Sequence, residues 1–443
     1  MSKSNTHNVA FTRETMLPQQ EPPTTAVGAV GWARQNLFSG WFNSVLTLIF
    51  LAAILSVLAA IIPWILSPTW NAGSLSECRD ILSAGAADAA GHGTSGACWG
   101  VIRERWVQLM FGFYPPELYW RPILAFILLA VALAPILFAD KVPAKLIWFS
   151  AIYPFLFPWL LWGGSVWVPM GALAGFVLGA VIFSVVSKSV GELAGIIGGV
   201  LAAVIWWLVL MGPVTGVLDG ILPIGIESVE SRKFGGFMLS ITIGVVAIAC
   251  SLPLGIVLAL GRQSDLIIVK YICVGFIEFV RGVPLITLLF VASVLLNYFL
   301  PPGTSFDIIL RVLIMVTLFA AAYMAEVVRG GLAALPRGQY EGADSLGLNY
   351  WQAQRLVIMP QALKISIPGI VSTFIGVFKD TVLVSIIGLL DPLGLSNAIR
   401  ADSNWNGIVW EIYGFIALIF FVFCFSMSRY SMYLERKLQT GHR

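Results

Sequence analysis

Roughly 20 nearly uninterrupted apolar residues recur about ten times in this 443-residue chain, and that recurrence limits the fold more than any single motif does. About 20 such residues cross a bilayer as one helix, whereas a single buried core could not absorb so many runs of Leu, Ile, Val and Ala. In hydrocarbon every backbone N–H and C=O must be bonded within the protein, which leaves helices or a closed barrel. The alternating pattern of barrel strands is missing, so the spans are predicted to be helical. With 58% hydrophobic and 11% charged residues, against roughly 25% charged in soluble domains, the chain reads as an all-α integral membrane protein.

Ten spans are expected, near 41–66, 121–139, 146–162, 170–187, 194–211, 236–260, 272–298, 308–328, 368–390 and 409–431. An even number puts both ends of the chain on one side. Lys and Arg mark the cytoplasmic side of membrane proteins. Lys141, Lys145, Lys188, Arg262, Lys270, Arg329, Arg337, Arg355, Lys364, Arg429, Arg436 and Lys437 all fall on the side that holds both termini. The opposite side carries Arg79, Arg103, Arg105 and Arg121 in or beside one long external loop, 67–120, followed by Arg232, Lys233 and Arg400. Residues 1–40 are polar, contain Pro18, Pro22 and Pro23, and lack the short apolar core of a cleavable signal. They are expected to form a cytoplasmic tail, as are residues 434–443. A formal net charge of +3 gives no reason to expect a nucleic-acid partner.

Three of the five cysteines, Cys250, Cys273 and Cys424, lie within apolar spans as small packing residues. Cys78 and Cys98 share the external loop, where an oxidising compartment permits a disulfide; spacing alone leaves a bridge and two free thiols equally open. Gly171, Gly175 and Gly179, and again Gly191, Gly195 and Gly199, repeat every four residues, a spacing that lets helix backbones approach closely. Incidental glycine, common in membrane helices, is the plain alternative. Composition divides the chain near residue 230 into an accessory five-span region, 41–230, and a second five-span region, 231–433.

Polar chemistry concentrates in the second region. Between the eighth and ninth spans about 35 polar-leaning residues, 329–368, form a connection far longer than the few residues that usually join helices. Pro336 and Gly338 punctuate its start, a helix is predicted through Tyr340 to Leu346, and Gly347 supplies a left-handed stop. Asn349, with Gln352 three residues on, has the spacing of a capping box for a second helix, which Pro360 is expected to end or kink. This hairpin offers Glu341 and Asp344 as charges and Leu346 and Trp351 as apolar area, the ingredients for docking a soluble partner. It has no catalytic inventory of its own.

The hairpin reads Glu341-Gly342-Ala343, three residues, Gly347, nine residues, then Val357-x-Met359-Pro360. With its flanks, 322–390, it resembles the loop of bacterial ATP-binding-cassette (ABC) importer permeases of the polar amino-acid subfamily. Their pattern is Glu-Ala-Ala, three residues, Gly, nine residues, Ile-x-Leu-Pro. Gly342, Val357 and Met359 depart mildly from it, and Gly342 lowers helix propensity only slightly. Further likeness lies in Tyr323 to Arg329 with Gly330 and Gly331, in Tyr350-Trp351-Gln352, in Pro360-Gln361-Ala362-Leu363 and in Lys379-Asp380-Thr381. Glu278-Phe279-x-Arg281-Gly282-x-Pro284-Leu285 adds to it. The five N-terminal spans and the Cys-containing loop resemble the larger permease subunit of general L-amino-acid transport systems.

The resemblance implies a MetI-like permease core built by the C-terminal five helices, in a bacterial inner membrane with both termini cytoplasmic. It implies an alternating-access conduit for polar L-amino acids. Glu341, Gly342, Ala343, Asp344, Leu346, Gly347 and Trp351 would dock onto two ATPase subunits that carry ATP and Mg²⁺. A second permease subunit and a periplasmic amino-acid-binding protein would complete the assembly. The sequence agrees by omission: no Gly-x4-Gly-Lys-Ser/Thr phosphate loop occurs, so no cofactor is expected on this chain. The only histidines, His7, His92 and His442, are predicted to lie outside the spans, which argues against a His-based metal site in the membrane.

Lys379 and Asp380 interrupt the ninth expected span about 16 Å past Pro368, near its middle, where each charge costs roughly 2.5–3.5 kcal/mol to insert. The ammonium could meet a substrate carboxylate and the carboxylate a substrate ammonium; an ion pair serving assembly is the alternative. Thr381 and Ser385 are candidate hydroxyl contacts, unless they bond back to their own helix. Glu278, Arg281 and Glu326, near the cytoplasmic span ends, are read as gating or inter-span pairing groups, against snorkelling to the headgroups. An ion-coupled secondary transporter or channel is the rival function, with Lys379 and Asp380 as its coupling pair, but paired broken helices in two halves are not visible. A membrane enzyme would need a convergent set of polar groups within the spans, and only the one pair is found.

Overall fold

The computed structural model describes residues 28–67, 69–87, 96–295, 298 and 307–439. His7, His92, His442 and most of the expected N-terminal tail lie outside them. Among the described residues nine helical segments are long and apolar enough to cross a membrane, and a bent helix pair makes a tenth.

One compact unit comprises Met1–Pro68 and Leu82–Ala97. It contains α1 (Gly28–Asn36) and α2 (Trp41–Ile65). Helix α1 lies within the stretch expected to be a tail. None of the residues of α2 is buried. A helix apolar on every side with no buried face is suited to lipid all round.

The second unit, Thr69–Ile81 and Cys98–Arg443, holds nearly everything else. Helix α3 (Leu75–Ala87) begins in it, and α4 (Gly100–Phe111), α5 (Trp120–Leu137), α6 (Ile147–Trp162), α7 (Trp167–Ser189), α8 (Glu192–Ile205) and α9 (Met211–Ile221) follow. The change in composition near residue 230 is not a break in packing. Leu129, Tyr153 and Phe157 of α5 and α6 share one apolar cluster with Leu239, Ile243, Val316 and Val377 from the second region. Helices α7 and α8 pack side by side, and a methyl group at Gly179 would press on Gly199 O and on Ala203, so that ridge is a contact surface. Gly191 stands apart from it. Its φ of 124° makes it the turn that starts α8, not a member of the ridge.

The second region comprises α10 (Gly236–Arg262), α11 (Ile267–Gly282), α12 (Leu285–Phe290), α13 (Ile308–Ala333), α14 (Arg337–Ser345), α15 (Tyr350–Ala353), α16 (Met359–Asp380), α17 (Pro392–Arg400) and α18 (Trp410–Gln439). Helix α13 packs between α10 and α16, and α18 lies against α16. The seventh expected span is not one helix. Pro284, without an N–H to continue the α11 ladder, separates α11 from the segment Leu285–Leu295, and the axis turns by 102° there. The ninth differs as well. Pro360 neither ends nor sharply breaks its helix, because a π turn over Gln354–Ile358 widens the backbone just before the ring. The hairpin's second helix therefore runs on into the span as one segment, Tyr350–Ile387.

At the end of this unit away from the hairpin, the N-terminal loop clasps the second region. Cys78 and Cys98 form a disulfide with Cα atoms 6.0 Å apart. The Cys98 N–H donates to Glu411 Oε1 at 2.9 Å, Arg105 pairs with Asp402 at 2.8 Å, and the Leu75 N–H donates to Asn404 O at 2.8 Å. The Trp405 indole N–H, on a fully buried side chain, reaches Glu104 Oε2 at 3.2 Å.

Candidate functional site

The hairpin owes its shape to local capping chemistry. Gly347 takes φ 69°, and the N–H groups of Gly347 and Leu348 donate back to Asp344 O at 2.9 Å and Ala343 O at 3.3 Å, a paired closure that satisfies the last carbonyls of α14. Asn349 then caps α15: its side chain accepts from the Gln352 N–H at 2.9 Å, while Gln352 Oε1 accepts from the Asn349 N–H at 3.0 Å. Two helices meet at a tight corner with few backbone groups left unsatisfied.

Below the corner the hairpin is fixed to the spans. Leu335, Ile358 and Ala362 join Ala259 of α10, Ile277 of α11 and Met324, Val328 and Leu332 of α13 in one apolar cluster, with Tyr340, Val357 and Met359 packed against it. Helices α13 and α16 touch most closely at Gly331, where a methyl would collide with Ala362 O and Ser366 Oγ. The Ser366 hydroxyl donates to Val327 O at 3.2 Å across the same crossing. Above it, Glu341, Gly342, Asp344 and Gly347 are exposed, with Leu346 78% and Trp351 67% exposed. Two carboxylates and two large apolar side chains share this projecting tip. Ala343 differs in exposure from the other expected contact residues. It is buried, because position 343 faces the hairpin's own interior, and its part is packing.

Charge gathers beneath the hairpin. Glu326 of α13 lies 2.6 Å from Arg262 of α10, 3.0 Å from Arg329 and 3.8 Å from Arg281 of α11. Arg262 also reaches Glu278 of α11 at 3.0 Å, and the Arg281 guanidinium lies over the Tyr323 ring, 5.5 Å from its centroid. The three charges singled out from sequence thus fall into one network, closed by Arg262 and Arg329, which sequence reasoning had counted only as marking the membrane side. Their occurrence at matching depths on adjacent spans was the available signal.

The other candidate group sits where α16 ends. Lys379 and Asp380 are its last two residues, and the backbone tightens to a 3₁₀ helix over Thr381–Ile387. Lys379 follows Ser366 by thirteen residues, about 20 Å of helix. Lys379 is exposed and Asp380 half-buried, and among the described residues no ion pair joins them to each other or to another helix. Phe378 anchors the segment against Phe420 and Phe423 of α18. The hydroxyl candidates adopt the alternative left open by sequence. Thr381 is fully buried and donates to Phe378 O at 2.8 Å, and Ser385 donates to Val382 O at 2.9 Å, each satisfied by its own helix. The 3₁₀ segment packs against α12, the far limb of the bent pair.

The family described as binding-protein-dependent transport system inner membrane component matches residues 251–440. The glutamate/glutamine/aspartate/asparagine transport system permease protein BztC of Rhodobacter capsulatus is 58% identical over 437 residues, 98% of this chain and 100% of that one. The inner membrane amino-acid ABC transporter permease protein YhdY of Escherichia coli is 40% identical over 93% of this chain and 94% of its own length. A shorter relative, the probable glutamine ABC transporter permease protein GlnM of Bacillus subtilis, is 30% identical over 48% of this chain and 95% of its own. Likeness that runs almost end to end, together with the matched domain over the hairpin, establishes that the chain belongs to the family of amino-acid ABC transporter permeases.

Proposed function

We propose that this permease carries glutamate, aspartate and their amides inward across the bacterial inner membrane, and that hydrolysis occurs on two separate ATPase subunits that bind ATP and Mg²⁺. The observation that carries the reading is the hairpin. An exposed tip of Glu341, Asp344, Leu346 and Trp351 stands on a helix continuous with a span, so a partner seated on it would move the span directly. The chain has no phosphate-loop motif, in keeping with a nucleotide held by that partner. The substrate class is taken from the full-length relative whose name gives the four amino acids.

A second permease subunit would cover the exposed face bearing Lys379, whose ammonium suits a substrate carboxylate, with Asp380 beside it for the substrate ammonium. The excess of Lys and Arg supports a cytoplasmic hairpin and cytoplasmic termini, and the clasped end would then meet a periplasmic binding protein.

The test is uptake of labelled glutamate into proteoliposomes holding the permease, its co-purifying partners and the binding protein. Uptake that needs internal ATP and competes with glutamine, aspartate and asparagine is expected. Uptake that proceeds without ATP and follows an imposed proton or sodium gradient would show the secondary-transporter alternative to be correct.

A further inference from the structure

The geometry points to Arg262 as a latch: it holds α10, α11 and α13 together beneath the hairpin and must release a carboxylate when the hairpin moves. This rests on the importer reading above and adds a residue and a step to it. Arg262 is the last residue of α10, and its Nη1 is shared between two helices, 3.0 Å from Glu278 of α11 and 2.6 Å from Glu326 of α13. The Arg262 and Glu326 side chains are only 25% and 17% exposed, so water does not screen the pair as it would on an open surface. One guanidinium bridging two helices makes their separation a choice between partners.

The two helices lead to different places. From Glu326, α13 continues past Arg329 and Gly331 to its end at Ala333, four residues before α14 begins, so hairpin displacement is delivered to Glu326 through continuous helix. From Glu278 and Arg281, α11 runs to the 102° turn at Pro284, beyond which α12 packs against the 3₁₀ segment that follows Lys379 and Asp380. The charges also make the arrangement two-sided. Three arginines surround two glutamates, so withdrawing Glu326 leaves Arg262, Arg281 and Arg329 with a surplus of positive charge beside Glu278. Glu326 in place binds the helix ends, and Glu326 displaced lets them repel. Arg262 is a positioning residue: it touches neither substrate nor nucleotide and acts through the helices it ties.

The experiment uses the assembled complex in proteoliposomes with Arg262→Gln, Arg262→Lys, Glu326→Gln and the double variant Arg262→Gln/Glu326→Gln. ATP hydrolysis is measured per assembled complex with and without substrate-loaded binding protein, so lost yield does not enter the ratio. A latch predicts that Arg262→Gln and Glu326→Gln raise unstimulated hydrolysis and cut the stimulation ratio about fivefold or more. Arg262→Lys should keep most of the ratio, and the double variant should be no worse than the worse single one. A stimulated wild type with unchanged ratios in every variant makes the network a static brace and overturns the latch alone. A wild-type complex that binding protein does not stimulate overturns the latch and the importer reading together.

Discussion

The two ends of the second unit are held by different chemistry. At the hairpin end the helices are joined by four ion pairs among partly buried side chains, and the projecting tip is left uncovered. At the other end a disulfide, a buried indole and a backbone N–H bonded to the buried carboxylate of Glu411 close the N-terminal loop over the connection between α17 and α18. Ion pairs can exchange partners at modest cost, whereas a covalent bridge and satisfied buried groups yield only on local unfolding. The contrast leaves the hairpin end better able to rearrange than the clasped one, where the Arg105–Asp402 pair is backed by a covalent tie.

The sharpest break in that contrast is Glu341→Arg. Reversing the charge on the tip touches no packed residue, so the protein should insert at normal abundance while uptake falls at least tenfold; normal uptake would remove the tip from the coupling surface. Next is the paired substitution Cys78→Ser and Cys98→Ser. Loss of the bridge should lower stability by about 3 kcal/mol, read as a fall in melting temperature in detergent, with the stimulation ratio of hydrolysis nearly intact. A changed ratio with an unchanged melting temperature would reverse the roles of the two ends.

A smaller effect is expected at Asp391, the cap of α17, whose carboxylate accepts from the Gly394 N–H at 2.9 Å and the Leu393 N–H at 3.1 Å. Burial pushes this carboxyl up from 3.8 to about 6, with the backbone donors pulling the other way. The folded form then holds a proton that the unfolded form releases, so Asp391 makes stability fall as pH rises from about 4 to about 6. Asp391→Asn keeps a capping oxygen and should flatten that slope in denaturation measured across the window. Least of all, Ser385→Ala removes only a hydroxyl bonded to Val382 O, and uptake should change less than twofold; a larger loss would return Ser385 to the substrate path.

What sequence disclosed follows from how locally each feature is determined. The spans are legible because a bilayer demands uniform apolarity over about 20 residues. The hairpin is legible because Gly347, Asn349 and Gln352 act on backbone groups three to five positions away. Pro284 and Pro360 show where that stops. Both lack an N–H, yet one chain turns by 102° and the other continues, since the outcome depends on whether neighbouring helices favour a π turn or a corner. The partners of Arg262 were not legible, because Glu278 and Glu326 are brought to it only by the packing of α10, α11 and α13. The inward turn of Ala343 likewise emerges only in three dimensions, whereas the bonds of Thr381 and Ser385 back to their own helix are local and match one of the two sequence alternatives.

The close crossing of α13 and α16 at Gly331 gives the continuous segment Tyr350–Ile387 the proportions of a seesaw. Taking Ser366 as the fulcrum, Tyr350 stands about 24 Å away on one arm and Lys379 about 20 Å away on the other. A rocking of roughly 5° of the segment as a rigid body would carry the tip and the ammonium about 2 Å each in opposite directions. Under the coupling proposed above, a glycine with no room for a methyl group would set the ratio of the two displacements.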